Sequence, residues 1–362
     1  MVDKELSKQG IAKYYSTKVT RQLGRVAVKG LFRNKIVFEK KEVGAILFIQ
    51  LYGIGDYLMS TPAIKEIAKQ FPRATTTLLC KGATKQIAEL NPTIDKVIVD
   101  KGKVETGFDL VVSMNDSLES TIIAWKSKPK YVIGFLKGSK LEANFEIGKW
   151  QGAKENYNII DNYLLIAKAL GNKKIKEKEY VIEVEKCAKV EKMLKKEGLK
   201  DFIIINPNTR DGAEAKGWGE KNYALLSDKI IENGQKIVFC GAKGEEGSKK
   251  TIQLIHNKRG VFDFTGRLNL KEVTYLFSKS NGYIGNDTGL MHIAIAVKIP
   301  TIGIFGPTDS KRIFLEGKKR FAFQVKNKKW PCYVKGTFDI KQKQKFMDSI
   351  KVEKVWKKST NF

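Results

Sequence analysis

What most constrains this chain is a pattern that occurs twice: short continuous apolar runs, each followed by a turn and then by a segment of helical length. In the first series Ala45-Ile46-Leu47-Phe48-Ile49 comes first. Further strand candidates follow at 75–80, 96–99, 109–113 and 131–135, separated by helical stretches such as 117–126, and a helix at 157–170 closes the series at Gly171. Runs without polar alternation read as strands buried on both faces, and repeated strand-helix alternation builds a parallel sheet covered by helices. A second series follows an amphipathic helix at 186–197, with strands at 202–206, 236–240, 261–264, 282–285 and 300–305 and helices at 221–233, 248–257, 270–279 and 289–297. The expected fold class is α/β: two Rossmann-like domains, residues 43–171 and 181–340, joined by a Lys/Glu-rich linker at 172–180. Ligands of open α/β sheets sit beyond the carboxyl ends of the strands, so the loops of both halves should point into an interdomain cleft.

The two ends differ from this pattern. Residues 1–42 carry eleven Lys or Arg against four Asp or Glu, and Ala12, Tyr15, Val19, Leu23 and Val26 recur at helical steps beside a row of Lys18, Arg21, Arg25 and Lys29. That geometry suits a helix lying in a membrane interface, or equally one packed on the protein's own surface. The tail from 318 to 362 is again basic, with fourteen Lys or Arg against three Asp or Glu, and its last part, 341–362, reads as a short helix near Val352–Trp356 plus tail. Over the whole chain 67 Lys and Arg face 39 Asp and Glu, a formal charge of +28, which implies an anionic partner. Cys80, Cys187, Cys240 and Cys332 lie far apart and only His256 and His292 accompany them, so neither a zinc set nor a disulfide framework is expected. No apolar leader and no run of about eighteen apolar residues is found, so the expectation is a chain neither secreted nor membrane-spanning.

Several loops carry candidate chemistry. Gly53-Ile54-Gly55-Asp56 follows the first strand as a tight turn, with Pro62 expected in the first turn of a helix running through Phe71. Asp56 there reads either as a helix cap or as a carboxylate at the cleft mouth. Asn208-Thr209-Arg210 through Lys216-Gly217-Trp218 offers a hydroxyl, an ammonium and backbone amides to a diphosphate, although a solvated lysine is the plainer reading. Gly285-Asn286-Asp287-Thr288-Gly289-Leu290-Met291-His292 places a turn before a helix whose free N–H groups suit phosphate. Asp287 would be awkward against a diphosphate, which favours a sugar contact, and His292 either steadies phosphate or packs in the core. The strand and Gly-Pro turn of Pro300 to Thr308 should abut the Asp287 turn. After another strand of the same sheet, Glu245 or Glu246 can accept from ribose hydroxyls.

These motifs resemble, in order and spacing, the ADP-heptose:lipopolysaccharide heptosyltransferases, glycosyltransferase family 9, over about residues 44–355. The most specific are Gly53-Ile54-Gly55-Asp56 with Ser60-Thr61-Pro62, Lys216-Gly217-Trp218, Asp287-Thr288-Gly289-Leu290-Met291-His292 and Phe305-Gly306-Pro307-Thr308. The resemblance implies a GT-B architecture, with the acceptor bound by the N-terminal half at the loop of Gly53 and Gly55, and a nucleotide sugar bound by the C-terminal half. It implies Asp56 as general base, Thr209 and Lys216 on the diphosphate, Asp287, Thr288, Gly289 and His292 lining the donor site, and Glu245 or Glu246 on the ribose. The implied chemistry is inverting transfer without a metal or a cofactor, with ADP-heptose as co-substrate. The implied acceptor is an anionic glycolipid such as a lipopolysaccharide core intermediate, met at the cytoplasmic, inner face of a bacterial inner membrane by a peripheral enzyme on an anionic surface. Two departures stand out. Lys329-Trp330-Pro331-Cys332-Tyr333 lacks the later cysteines of the family's C-terminal region, and the residues after Asn206-Pro207 differ from the usual Pro-Gly-Ala, which leaves another nucleotide sugar open. A nicotinamide oxidoreductase is disfavoured by the incomplete G-x-G-x-x-G, and a scaffold without activity by the presence of Asp56, Lys216 and Asp287. Nucleic acid is not an expected partner, since no helix-turn-helix, RRM or zinc signature accompanies the charge.

Overall fold

The computed structural model describes residue 26 and residues 35–100, 105–137, 140–147, 158–172, 174–209, 214–326, 346–360 and 362. Most of the N-terminal arm, and the region of Cys332, therefore lie outside the described residues.

The first sheet contains β1 (Ala45–Gln50), β2 (Thr75–Cys80), β3 (Lys96–Val99), β4 (Leu110–Ser113), β5 (Tyr131–Lys137) and β6 (Lys140–Ala143), in the order β3-β2-β1-β4-β5-β6. All neighbours are parallel except β5 and β6. The second contains β7 (Phe202–Asn206), β8 (Lys236–Phe239), β9 (Val261–Asp263), β10 (Gly282–Asn286), β11 (Thr301–Phe305) and β12 (Arg320–Gln324), all parallel, in the order β12-β11-β10-β7-β8-β9. Each sheet thus reverses direction beside its own first strand, between β1 and β4 and between β7 and β10. Those two reversal points are where doubly wound sheets open a crevice for ligands. This is the α/β architecture of two parallel sheets expected above.

The central strands are apolar because helices cover both of their faces: Ile46, Phe48 and Ile49 in β1 and Ile203, Ile204 and Ile205 in β7 are fully buried. Connecting helices are α1 (Ile54–Ala68), α2 (Gly82–Ala88), α3 (Leu118–Lys126), α4 (Ile159–Ala169), α5 (Ala188–Lys196), α6 (Glu220–Glu232), α7 (Gly247–Leu254), α8 (Leu270–Ser278), α9 (Gly289–Ala296), α10 (Ser310–Ile313) and α11 (Val352–Ser359). Among the described residues no helix is long and apolar enough to cross a membrane.

Three local expectations are corrected. The turn at Gly53–Asp56 is the first turn of α1, with Gly53 as its N-cap, and Pro62 lies inside the helix rather than at its start. A proline there cannot donate to Leu58, four residues back. The Thr61 hydroxyl takes that carbonyl instead, at 2.7 Å, which lets the helix continue. The antiparallel strand β6 was not foreseen. The tail beginning at 318 is not all tail, because β12 pairs along β11, and Met347, Ile350 and Val355 are buried in the second core. At the other end, residues 35–42 pack on the first domain: Phe38 stacks on Phe145 at 4.2 Å and meets Tyr131 edge-on at 4.8 Å, and Ile36 bridges to Phe145.

Candidate active site

The site lies where the two reversal points face each other. From the first domain α1 presents its N-terminal turn, and from the second α9 presents its own, so two helix ends rich in unpaired N–H groups converge. The approach leaves no room for a β-carbon at Gly55 and little at Gly289. A β-carbon on Gly55 would lie 2.6 Å from Cδ2 and 3.0 Å from Nε2 of His292, and one on Gly289 would lie 3.3 Å from Cβ of Ile54.

Asp56 stands at the third position of α1 and is partly buried at this junction. Removal from water, reinforced by the negative charge of nearby Asp287, pushes its carboxyl up from 3.8 to about 6; the Gly53 and Asp56 amides and Lys216 pull the other way. The turn is anchored from behind by Gln50, fully buried at the end of β1. Its amide accepts from Asn115 Nδ2 at 2.5 Å and donates to Tyr163 Oη at 3.3 Å and to the Asp56 carbonyl at 3.4 Å.

On the opposite side Lys216 Nζ donates to Asp287 Oδ2 at 2.5 Å, and the same oxygen accepts from Thr308 Oγ1 at 2.8 Å. The Pro300–Thr308 loop therefore abuts the Asp287 turn as the sequence suggests. Lys216 thus sets a positive charge directly against the Asp287 carboxylate. Beneath them Asn286, fully buried, uses its whole side chain as a brace. Oδ1 accepts from the Trp218 amide at 3.1 Å and from Tyr223 Oη at 2.8 Å, and Nδ2 donates to the carbonyls of Pro207 at 2.9 Å and Asn208 at 3.3 Å. One amide side chain thus ties the loops after β7 and β10 to the Lys216–Trp218 segment. Asn206 does the same for Thr288, donating to its hydroxyl at 3.2 Å. Thr288 is the N-cap residue of α9, and Thr209 lies half-buried just beyond this brace.

Trp218 is fully buried, its indole N–H donating to the Ile350 carbonyl at 3.0 Å, so it anchors the loop rather than facing a ligand. Glu245 and Glu246 separate clearly. The Glu245 carboxylate turns back to accept the Ala242 amide at 2.8 Å, whereas the Glu246 side chain is 59% exposed and pairs loosely with Lys249 at 3.9 Å. His292 is buried, and desolvation pushes its imidazole down to about 4, so the ring is neutral at neutral pH. Its packing against Gly55 and its place beside Asp287 and Lys216 make it both a core residue and a wall of the cleft. Sequence reading gave no site role to Gln50, Asn115, Asn206 or Tyr180, and took Thr308 only as part of its motif. A polar residue ending an otherwise apolar strand, as Gln50, Asn206 and Asn286 all do, was the available signal. Among the described residues no cluster of three or more His, Cys, Asp or Glu suited to a metal is found.

Comparison with known proteins bears on the fold and the family. The chain is similar to the lipooligosaccharide heptosyltransferase 2 of Haemophilus influenzae, 25% identical over 301 residues that span 73% of this chain and 83% of that protein. Its fold matches a solved glycosyl transferase family 9 protein from Veillonella parvula, with a TM-score of 0.70 at 18% identity, over 88% of this chain and 96% of that one. It also matches the E. coli ADP-heptose LPS heptosyltransferase II, with a TM-score of 0.68 at 16% identity, over 88% and 98% of the two chains. The model of the family described as glycosyltransferase family 9 (heptosyltransferase) matches residues 102–341, most of the chain and all of the second-domain loops just described, and the protein belongs to that family.

Proposed function

We propose that this glycosyltransferase moves a heptose from ADP-heptose to an anionic lipopolysaccharide core acceptor, with inversion and without a metal. The observation that carries the reading is the facing pair of a raised carboxyl, Asp56, and a cation-carboxylate pair, Lys216 and Asp287, across one junction of two helix ends. A base whose pKa stands near the working pH is suited to take a proton from an attacking hydroxyl. The acceptor hydroxyl would approach from the first domain, lose its proton to Asp56 as it attacks the anomeric carbon, and expel the nucleoside diphosphate on the opposite side.

The second domain holds what leaves. An ammonium has three N–H groups and Asp287 takes one, which leaves two for diphosphate oxygens. The free amides of α9 after Thr288 and Gly289 add fixed positive ends where charge develops, and Thr209 adds a hydroxyl. Both hydrogen bonds to Asp287 fall on Oδ2, so Oδ1 can accept from sugar hydroxyls. Glu245, turned inward on its loop, suits the ribose better than the outward Glu246. The names of the relatives support heptose and ADP, and the +28 charge suits an anionic acceptor and an anionic membrane surface. The reading is completed by an enzyme held peripherally at the cytoplasmic face of a membrane.

Calorimetry with ADP-, GDP- and UDP-sugars tests the donor. Tight binding of ADP-heptose alone is expected. Preference for a uridine or guanosine nucleotide would overturn the donor assignment while leaving the transferase.

A further inference from the structure

We propose that Tyr180, on the segment joining the two domains, is a positioning residue that fixes His292 as its Nε2–H tautomer, so that the imidazole offers a proton rather than a lone pair toward the Asp56 turn. Tyr180 and His292 are both buried, each 3% exposed, and the Tyr180 hydroxyl lies 3.1 Å from Nδ1. A neutral imidazole carries one proton on one of its two nitrogens, and the partner of the other nitrogen decides which. Among the described residues the Tyr180 hydroxyl has no hydrogen-bond partner other than Nδ1, and an imidazole nitrogen is a better acceptor than a phenol oxygen, so the phenol proton is directed at Nδ1. Donation to Nδ1 leaves the ring proton on Nε2. The opposite edge of the ring, Cδ2 and Nε2, is the one that abuts Gly55.

The tyrosine is itself held from both domains. The next backbone amide, Val181, donates to the Thr61 hydroxyl of α1 at 2.9 Å. The preceding residue, Glu179, binds Arg320 of β12 through both carboxylate oxygens, at 2.9 and 2.6 Å. Thr61 thereby serves the joining segment as well as its own helix, which accounts for a motif residue that the proposed chemistry does not use. An N–H at Nε2 can donate to a phosphate or sugar oxygen, whereas a lone pair there would repel it. That functional consequence rests on the reading of His292 as a donor-site residue; the tautomer does not.

The chain contains two histidines, so the full-length protein labelled with 15N-histidine gives two ring systems, and exposed His256, bound to Asp228, is the reference. Long-range 1H–15N spectra at pH 7 should show His292 protonated at Nε2 and accepting at Nδ1. In Tyr180→Phe both His292 nitrogens should move toward averaged values while His256 stays fixed. A proton on Nδ1 in the wild type, or unchanged nitrogen shifts in the variant, overturns the proposal. ADP titration supplies the second readout: Tyr180→Phe should weaken ADP about tenfold, as loss of one hydrogen bond allows. In a His292→Gln background, whose amide has no tautomer to set, the same substitution should have no further effect. Equal weakening in both backgrounds would mean that Tyr180 acts through packing of the segment, and would sink the idea. Shifted nitrogens with ADP affinity unchanged by either substitution would uphold the tautomer and remove His292 from the donor site.

Discussion

Lys216 Nζ and Asp287 Oδ2 are 2.5 Å apart, so the cation proposed for the leaving diphosphate is held in place by the carboxylate proposed for the sugar. Lys216→Ala therefore removes a donor contact and also leaves Asp287 without its partner. Donor affinity and turnover should both fall, each by about tenfold or more, in line with loss of a charged hydrogen bond. EDTA should leave wild-type rates unchanged. Activity abolished by EDTA and restored by a divalent cation would refute the metal-free reading.

Asp56→Asn should keep the fold and donor binding while turnover falls by about two orders of magnitude or more, the scale of a lost general base. In the wild type kcat/KM should rise with pH through an apparent pKa of about 6, because only the ionised carboxylate accepts a proton. A flat profile between pH 5 and 8, or near-normal turnover of the variant, would remove Asp56 from that role.

Stability should run the other way. The carboxyl is raised in the folded chain from 3.8 to about 6, so the protonated form favours folding and the charged form opposes it. Asp56→Asn should therefore melt higher than wild type above pH 6. The gap should narrow as pH falls from 6 toward 3.8 and vanish only below that value, where the carboxyl is protonated in both the folded and the unfolded chain. Melting curves at pH 4, 5, 6 and 7.5 test the sign; a variant less stable at pH 7.5 contradicts it.

Gly55→Ala sets a methyl group 2.6 Å from the His292 ring. Relieving that overlap requires α1 and α9 to part, at a stability cost of about 1–3 kcal/mol for an overpacked contact. A loss of activity larger than that of a distant surface substitution should accompany the drop in melting temperature. Unchanged activity would mean that the helix ends do not need to meet.

Membrane attachment is testable on vesicles. A chain beginning at Lys35 keeps the packing of Phe38 on Phe145 and removes the basic arm before it. Full-length protein should cosediment with anionic vesicles, less so at high salt, and the shortened chain less again, since each basic residue near such a surface contributes about 1 kcal/mol. Equal binding of both chains would show that the arm does not hold the membrane.

The sheets were legible because the strands of a parallel sheet are short, mostly apolar segments set between turns, and β2, β3 and β7 span the segments expected. The start of α1 was not, since Gly53-Ile54-Gly55 has the composition of a turn and Pro62 that of a helix beginning. Only the Thr61 hydroxyl, by taking the Leu58 carbonyl, makes the longer helix tolerable. β12 was masked by the positive charge around it. At the site, Asp56, Lys216 and Asp287 stood out as motif residues, but their mutual contacts join loops far apart in sequence. No local pattern encodes that Tyr180 meets His292 or that Thr308 shares an oxygen with Lys216.

The hydrogen bond from the Trp218 indole to the Ile350 carbonyl has a practical bearing on deletion mapping. A chain cut before Ile350 would release the far end of the segment that carries Lys216, and would report weakened nucleotide binding although no ligand contact had been removed. Shortening the C-terminus would thus mimic a substitution of Lys216 itself.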